Sequence, residues 1–139
     1  MTAMNDLRSL PIHAEANGEM ELDIVALGIT MIMPQEMKGH GGFELPAGGV
    51  LIYGHWEGDI KVKTGVVIVA RGAVVSGRIL ARTIYIDGEV ARMPNGARSE
   101  VNATELIITD AGICHANMIC KVFCCGKGAT VDGAVQSGE

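Results

Sequence analysis

The side chains best suited to chemistry lie close together near one end of this chain. Cys114, His115, Cys120, Cys124 and Cys125 fall within twelve residues. Thiolates and imidazoles are the usual ligands of structural zinc. The spacing contains no C-x-x-C pair, however, and adjacent residues on a strand, such as Cys124 and Cys125, point to opposite faces. The sequence therefore predicts no metal site, and it predicts free thiols in a reducing cytosol.

Acid–base catalysis is not favoured either. Asp59, Arg78, Glu89 and Asp132 stand beside or near glycines in different parts of the chain, but their charges change sign and they form no recurring acid–base pair. Neither G-x-x-x-x-G-K-[ST] nor G-x-G-x-x-G occurs. We therefore expect no catalytic residue, no cofactor-binding residue and no cofactor, and we interpret these charges as a solvated, mixed-charge face of a protein that is not an enzyme.

Composition narrows the class of protein further. The chain has 139 residues, which suits one domain with one core, and it contains 19 glycines but only two Phe, two Tyr and one Trp. The core must therefore consist of Val, Ile, Leu, Ala and Met. The formal charge is -5 and the 11 Lys and Arg residues are scattered, so we expect no nucleic-acid partner.

The N-terminal part of the sequence bears on location. The chain does not open with a charged region followed by an apolar region and a small-residue cleavage site, which together mark a secretion signal. We therefore expect a cytoplasmic protein. The run from Ile24 to Met33 is about half of the roughly 20 residues that a membrane-spanning helix needs. We predict that residues 1–20 form a flexible tail. Contact of these residues with a membrane surface stays an open alternative.

The elements that position these side chains are repeats. Val66, Leu106 and Val122 each begin a copy in which apolar residues alternate and glycine follows at a fixed distance. A period of 16 to 18 residues with β-branched alternation is typical of a stacked-strand solenoid with three short sides in each turn. A left-handed hexapeptide helix is the structural competitor, but its six-residue period does not persist. The corners are predicted at six glycines: Gly72, Gly77, Gly88, Gly112, Gly128 and Gly133.

The same alignment assigns several other positions. Asn117 takes the place of a corner glycine, as a residue that tolerates a left-handed backbone. Cys124 aligns with Ile68 and Ile108, which predicts a core cysteine. His115 aligns with inward Val75 and Val131, so it is either a hydrogen-bonded core histidine or a residue turned out by a bulge.

We predict three segments along the chain. Residues 1–20 form the flexible tail, residues 21–47 a lead-in segment or irregular first turn, and residues 48–137 the solenoid. "ELDIVALGITMIM" fits either an amphipathic helix or a strand, and its Ile, Val and Thr content favours a strand. "ARMPNGARSEVNATE" is about six residues longer than the repeat needs and is predicted to be a tolerated surface insertion.

The last repeat predicts where function lies. Solenoids stack by burying each turn on its neighbour, so a final turn without a polar cap leaves core side chains and unpaired strand edges exposed. Only "QSGE" follows Val135. We therefore expect a self-association surface on the turn from Val122 to Val135, with Phe123, Val131 and Val135 as its candidate residues.

Three stretches, "HWEGDIKVKTG", "GAVVSGRILARTIYIDGEV" and "GKGATVDG", resemble the bactofilins, a family of bacterial polymer-forming cytoskeletal proteins. The resemblance covers roughly residues 48–137. It implies a right-handed three-sided parallel β-helix that polymerises end to end without nucleotide. It also implies filaments that scaffold cell shape or protein localisation, often beside the membrane with cell-envelope or cell-shape proteins. Val131 departs from the family, which often has an aromatic residue there.

Two functions follow from this sequence. The leading hypothesis is a homopolymeric structural protein that stacks terminal turns. The alternative is a β-helix enzyme or polysaccharide-binding module, which would need convergent acids and aromatic platforms that recur from turn to turn. Tyr53, Trp56 and Tyr85 are the only stacking candidates for such a platform.

Overall fold

The structure is a computed structural model, and it describes residues 12–14, 20–22 and 28–137. All of its regular elements are strands. The first two, β1 (Ile12–Ala14) and β2 (Met20–Leu22), pair with each other antiparallel. Every later pair of strands is parallel, and the partners lie one turn apart in the sequence. The prediction of an all-β parallel solenoid is therefore confirmed, and it has six turns in the described chain.

Each turn contributes a strand or half-strand to each of three sides. The first side contains β3 (Met31–Met33), β6 (Gly49–Ile52), the second halves of β8 (Ile60–Val69), β10 (Arg78–Ile86) and β12 (Ser99–Ile108), and β15 (Val122–Cys125). The second side contains β4 (Lys38–His40), β7 (His55–Glu57), β9 (Val74–Ser76), β11 (Glu89–Val90), β13 (Ile113–Cys114) and β16 (Thr130–Val131). The third side contains β5 (Phe43–Leu45), the first halves of β8, β10 and β12, then β14 (Ala116–Cys120) and β17 (Val135–Ser137).

The core is a set of straight columns, because side chains at matched positions of successive turns stack directly. One column on the first side contains Val50, Val67, Ile84 and Leu106, all fully buried. Strands alternate inward and outward side chains, so the small branched residues of this sequence fill a narrow interior. Few aromatic residues are needed in such a core.

A second, smaller apolar cluster lies outside the first side. Leu51, Val66, Ile68 and Ala70 point away from the main core, yet they are buried, with Ile29 and Tyr85 packed against them. Consecutive residues of β8 are therefore buried on both faces of the same sheet. A strand buried on both faces shows a continuous apolar run instead of alternation.

The structure corrects the predicted register of the middle repeat. Val66 and Val122 do share a column, but Glu105, one residue before Leu106, takes the place predicted for Leu106 in it. The usual spacing is 17 residues, as from Ile68 to Tyr85 and from Ile107 to Cys124. A one-residue slip exchanges the two faces of a strand.

Three assignments from the sequence alignment are affected. Cys114, and not His115, stacks with Val131 in the inward column, so His115 points outward. The prediction of Cys124 as a core residue is wrong, because it continues the outward column of Ile107 and is exposed. The prediction for Asn117 is wrong as well: it lies within β14, and no described residue other than glycine has a positive φ.

Of the predicted insertion, residues 91–98 form a loop between β11 and β12, and the remaining residues belong to β12. The turn from Tyr85 to Ile107 has 22 residues, five more than the usual 17. Ser99 closes the excursion, because its buried hydroxyl donates to the carbonyl oxygen of Ala91 at 2.5 Å and accepts the amide of Gly77 at 2.9 Å. The solenoid therefore resumes its register directly after the loop.

The first turn of the solenoid, β3 to β5, lies inside the segment 21–47 that was predicted as a lead-in or irregular turn. Met31 and Met33, the last residues of the predicted strand, are in β3. Residues 23–27 of that segment, and most of the predicted tail, lie outside the described residues. The described part of the chain has no helix that is long and apolar enough to cross a bilayer.

Candidate functional site at the last turn

The last turn exposes a strand edge on all three sides. β15, β16 and β17 each pair with the strand one turn before, which is β12, β13 or β14 respectively. No strand in the described part of the chain pairs with their other edge. Amide and carbonyl groups on such an edge are free to hydrogen-bond to another chain.

The three residues predicted for self-association all point into the solenoid at this turn. Phe123 stacks on Leu106, Val131 on Cys114 and Val135 on Met118, and all three partners are fully buried. Phe123 is 37% exposed and Val135 44% exposed, while Val131 is half-buried. The structure therefore brings the three together on one surface, where the next turn of a solenoid would lie.

Cys125 belongs to the same surface and was missed by the sequence analysis. It stacks on buried Ile108, so its side chain faces inward while it remains exposed at the open end. The correct 17-residue spacing would have identified it. The open surface is thus a slice of apolar core, with Phe123, Cys125, Val131 and Val135 at matched inward positions.

The first turn ends the core with larger side chains. Met31, Met37, Phe43 and Leu45 are half-buried against the core, and Phe43 packs edge-on against Trp56 with ring centroids 5.2 Å apart. Trp56 lies over Gly39, since a Cβ at Gly39 would lie 2.5 Å from its ring. The aromatic residues that a sugar-binding face would need are therefore partly used inside the solenoid.

Asp132, which lies in the last turn between β16 and β17, has three side-chain partners. It accepts hydrogen bonds from Arg98 at 3.0 Å and Arg92 at 2.8 Å, and His115 Nδ1 lies 3.1 Å from its Oδ2. The hydrogen bond from Arg98, followed by those from His115 and Arg92, lowers the pKa of Asp132 from 3.8 to about 2. Asp132 is partly exposed, as expected for a solvated face, and it also joins the insertion to the last turn.

The other candidate charges do not converge. Arg78 pairs with Glu100 on the third side at 3.7 Å, whereas Glu89 is on the second side and Asp59 is exposed between β7 and β8. Among the described residues, no group of three or more His, Cys, Asp and Glu side chains is arranged to hold a metal ion. Burial raises the pKa of the Cys114 thiol to about 12, which makes it an inert core group.

All six predicted corner glycines lie between strands. Gly77 and Gly133 have φ values of 121° and 151°, and in both the Cβ of any other residue would clash with a backbone carbonyl of the preceding turn. These positions set the path of the backbone around the core.

Comparison with protein families adds a direct finding. The family model described as bactofilin, polymer-forming cytoskeletal, matches residues 31–136. Comparisons with curated proteins and with solved structures gave no match. The matched range begins at β3 and ends within β17, so it covers all six turns of the solenoid and about three quarters of the chain. The chain therefore belongs to the bactofilin family of polymer-forming cytoskeletal proteins.

Proposed function

We propose that this protein assembles into nucleotide-independent filaments by end-to-end stacking of solenoid turns, and that it serves as a structural scaffold and not as an enzyme. The observation that carries the proposal is the open last turn. Apolar side chains at inward positions, Phe123 and Val135 above all, stay exposed beside three strand edges without a described partner. A second copy stacked on this surface would bury those side chains and satisfy the edges.

The chemistry of the surface supports assembly without a cofactor. Stacking needs only backbone hydrogen bonds and apolar burial, each of which the solenoid already uses between its own turns. Burying an apolar side chain is favourable by about 25 cal/mol per Å² of area removed from water. Repetition of one such contact generates a linear polymer whose only partner is the protein itself.

Negative-stain electron microscopy and sedimentation of the full chain test this proposal. Filaments that form in buffer without nucleotide, and that sediment above a threshold protein concentration, are the expected result. A folded monomer at high concentration, with no filaments under varied salt and pH, would overturn it.

We propose further that the filaments lie in the cytoplasm and scaffold cell shape or protein localisation, in contact with the membrane surface or with cell-envelope and cell-shape proteins. Membership of a cytoskeletal family supports this placement. Fluorescence microscopy of a tagged copy in its native cell would detect a fixed, filament-like pattern. A uniform, diffuse signal would contradict it.

A further inference from the structure

A groove crosses the third side of the solenoid at its corner with the first side. Its volume is about 350 Å³, and it runs over β8, β10, β12 and β14. Its floor includes the outward column of Leu80, Asn102 and Ile119, which stack directly on one another. None of its lining residues belongs to the inward set of the last turn, so end-to-end stacking leaves the groove open.

The backbone explains why this surface is concave. A single residue, Arg82, forms the corner after Ala81 in β10. A single residue, Thr104, likewise forms the corner after Ala103 in β12. The turn before uses three residues, 63–65, between Val62 and Val66, so its corner extends further out. Ala81 and Ala103 are small and buried, so the surface is lower here than at that corner.

The groove is positively charged in a protein of negative net charge. Lys63, Arg82 and Lys121 line it, and none of its lining residues is acidic, while the whole chain has a formal charge of -5. Lys63 forms an exposed pair with Glu44 at 3.4 Å. The side chains of Arg82 and Lys121 form no hydrogen bond or ion pair with another described residue. Two cations are thus available to a ligand.

An apolar contact accompanies the charges. Ile119 is 39% exposed at one end of the column that forms the floor, and half-buried Leu80 lies at its other end. Thr104 and Asn102 add a hydroxyl and an amide that can hydrogen-bond to a ligand backbone. The groove therefore combines cations, hydrogen-bonding groups and an exposed branched side chain within one depression.

We propose that this groove binds an extended acidic segment of a partner protein, with an apolar side chain of the segment packed on Ile119. Arg82 and Lys121 are two turns apart, roughly 10 Å at the usual strand spacing. Two carboxylates of an extended peptide can span that distance, since each residue advances about 3.3 Å. Charge complementarity favours an acidic ligand and orients it on approach.

Other anionic ligands fit the groove less well. A flat bilayer would reach the rim and leave the floor uncovered. An acidic polysaccharide would stack on aromatic rings, but no aromatic residue lines the groove. Nucleic acid needs a longer run of cations than the three found here.

Fluorescence anisotropy with a labelled peptide tests the proposal. The probe is Gly-Glu-Leu-Asp-Glu-Leu-Asp-Gly, and its control has Gln and Asn in place of the acids. Saturable binding of the acidic peptide alone is expected, weakened about tenfold in a variant with both Arg82→Ala and Lys121→Ala. Lys38→Ala, with Lys38 exposed on the second side, is the matched control for loss of a cation and should bind as the wild type does.

The Ile119→Ser variant distinguishes specific binding in the groove from non-specific electrostatic attraction. It should weaken binding of the Leu-containing probe several-fold and leave hexaglutamate binding unchanged. Absence of saturable peptide binding, or equal binding by the double variant, would overturn the proposal. Binding to phosphatidylserine vesicles or to polyuronate without peptide binding would overturn it in favour of those ligands. Filament formation plays no part in the measurement, so its outcome is independent of the proposed function.

Discussion

At the scale of single residues, Asp132 has the most consequential environment. Two arginines of the insertion and His115 of the preceding turn meet at one carboxylate that is 35% exposed. The contacts join chain segments that are 34 and 40 residues apart in sequence. An exposed ion pair contributes little alone, but a carboxylate shared by several donors acts as a local network.

This network predicts how stability responds to acid. The folded-state pKa of Asp132 is about 2, below the ordinary 3.8, so its contribution is present above pH 4 and is lost as the pH falls toward 2. Asp132→Asn should therefore lower the melting temperature at pH 7, and the difference from the wild type should disappear near pH 2. Thermal unfolding across that pH range measures both.

The control for this prediction is Asp59→Asn. Asp59 is exposed, and its side chain has no partner in the described part of the chain. It should leave the melting temperature at pH 7 unchanged. High salt should also shrink the effect of Asp132→Asn, because mobile ions screen exposed charges. An Asp132→Asn protein as stable as the wild type at neutral pH and low salt would contradict the prediction.

At the scale of strands and turns, the sequence predicted the kind of element better than its register. Period-two patterning and recurrent glycine indicated short strands around corners, and the structure has them. The register failed at Leu106 because Val66 to Val69 are buried on both faces, so their pattern contains no alternation to distinguish one face from the other. That slip aligned His115 with the inward residues Val75 and Val131. Cys124 was correctly aligned with Ile68, but Ile68 is buried on the outer face and not in the main core.

The basic groove and the contacts of Asp132 could be found only from the three-dimensional register of the strands. Lys63, Arg82 and Lys121 are 19 and 39 residues apart, and only the stacking of turns brings them to one groove. Likewise, Arg92 reaches Asp132 because it lies on the turn that has five additional residues. Neither arrangement has a local sequence motif, so patterning could not indicate them.

The first turn offers a test of packing at the element scale. Gly39 leaves room for the Trp56 ring, and a Cβ there would lie 2.5 Å from Cζ3. Because Phe43 packs on the same ring, Trp56 cannot move freely, so Gly39→Ala should destabilise the protein by about 1–3 kcal/mol. Trp56 is the single tryptophan of the chain, so its fluorescence should shift as well. Chemical denaturation followed by that fluorescence measures both effects.

Gly42→Ala is the matched control in the same turn. The nearest atoms to a Cβ at Gly42 are 3.7 Å away, an ordinary contact, and its φ is not positive. Its stability should stay within about 0.5 kcal/mol of the wild type, as for most surface substitutions. If both variants were equally stable, Trp56 would not occupy the space over Gly39.

At the scale of the whole molecule, the two ends of the solenoid differ. The first turn ends the core with half-buried Met31, Met37, Phe43 and Leu45, whereas the last turn exposes Phe123 and Val135. Filament formation by stacking needs a complementary apolar surface at each contact, and a charge placed there should prevent it. The sides of the solenoid, including the basic groove, would remain accessible along such a filament.

Val131→Arg should strongly weaken filament formation while leaving the fold intact. Val131 faces inward on the last turn, so stacking would bury the new guanidinium without a partner, which is strongly unfavourable. Thr130→Arg is the matched control, because Thr130 is exposed on the same short strand and its side chain points the other way. Sedimentation should show the threshold concentration for polymer raised more than tenfold for Val131→Arg and unchanged for Thr130→Arg.

Circular dichroism and thermal unfolding establish that each variant is folded. If Val131→Arg unfolds, Val135→Arg provides the same test with less strain, since Val135 is 44% exposed before stacking. A folded Val131→Arg or Val135→Arg protein that polymerises as readily as the wild type would place the contact elsewhere. Loss of polymer in both inward variants, with filaments kept by Thr130→Arg, would localise assembly to the inward face of the last turn, because the three substitutions add the same charge.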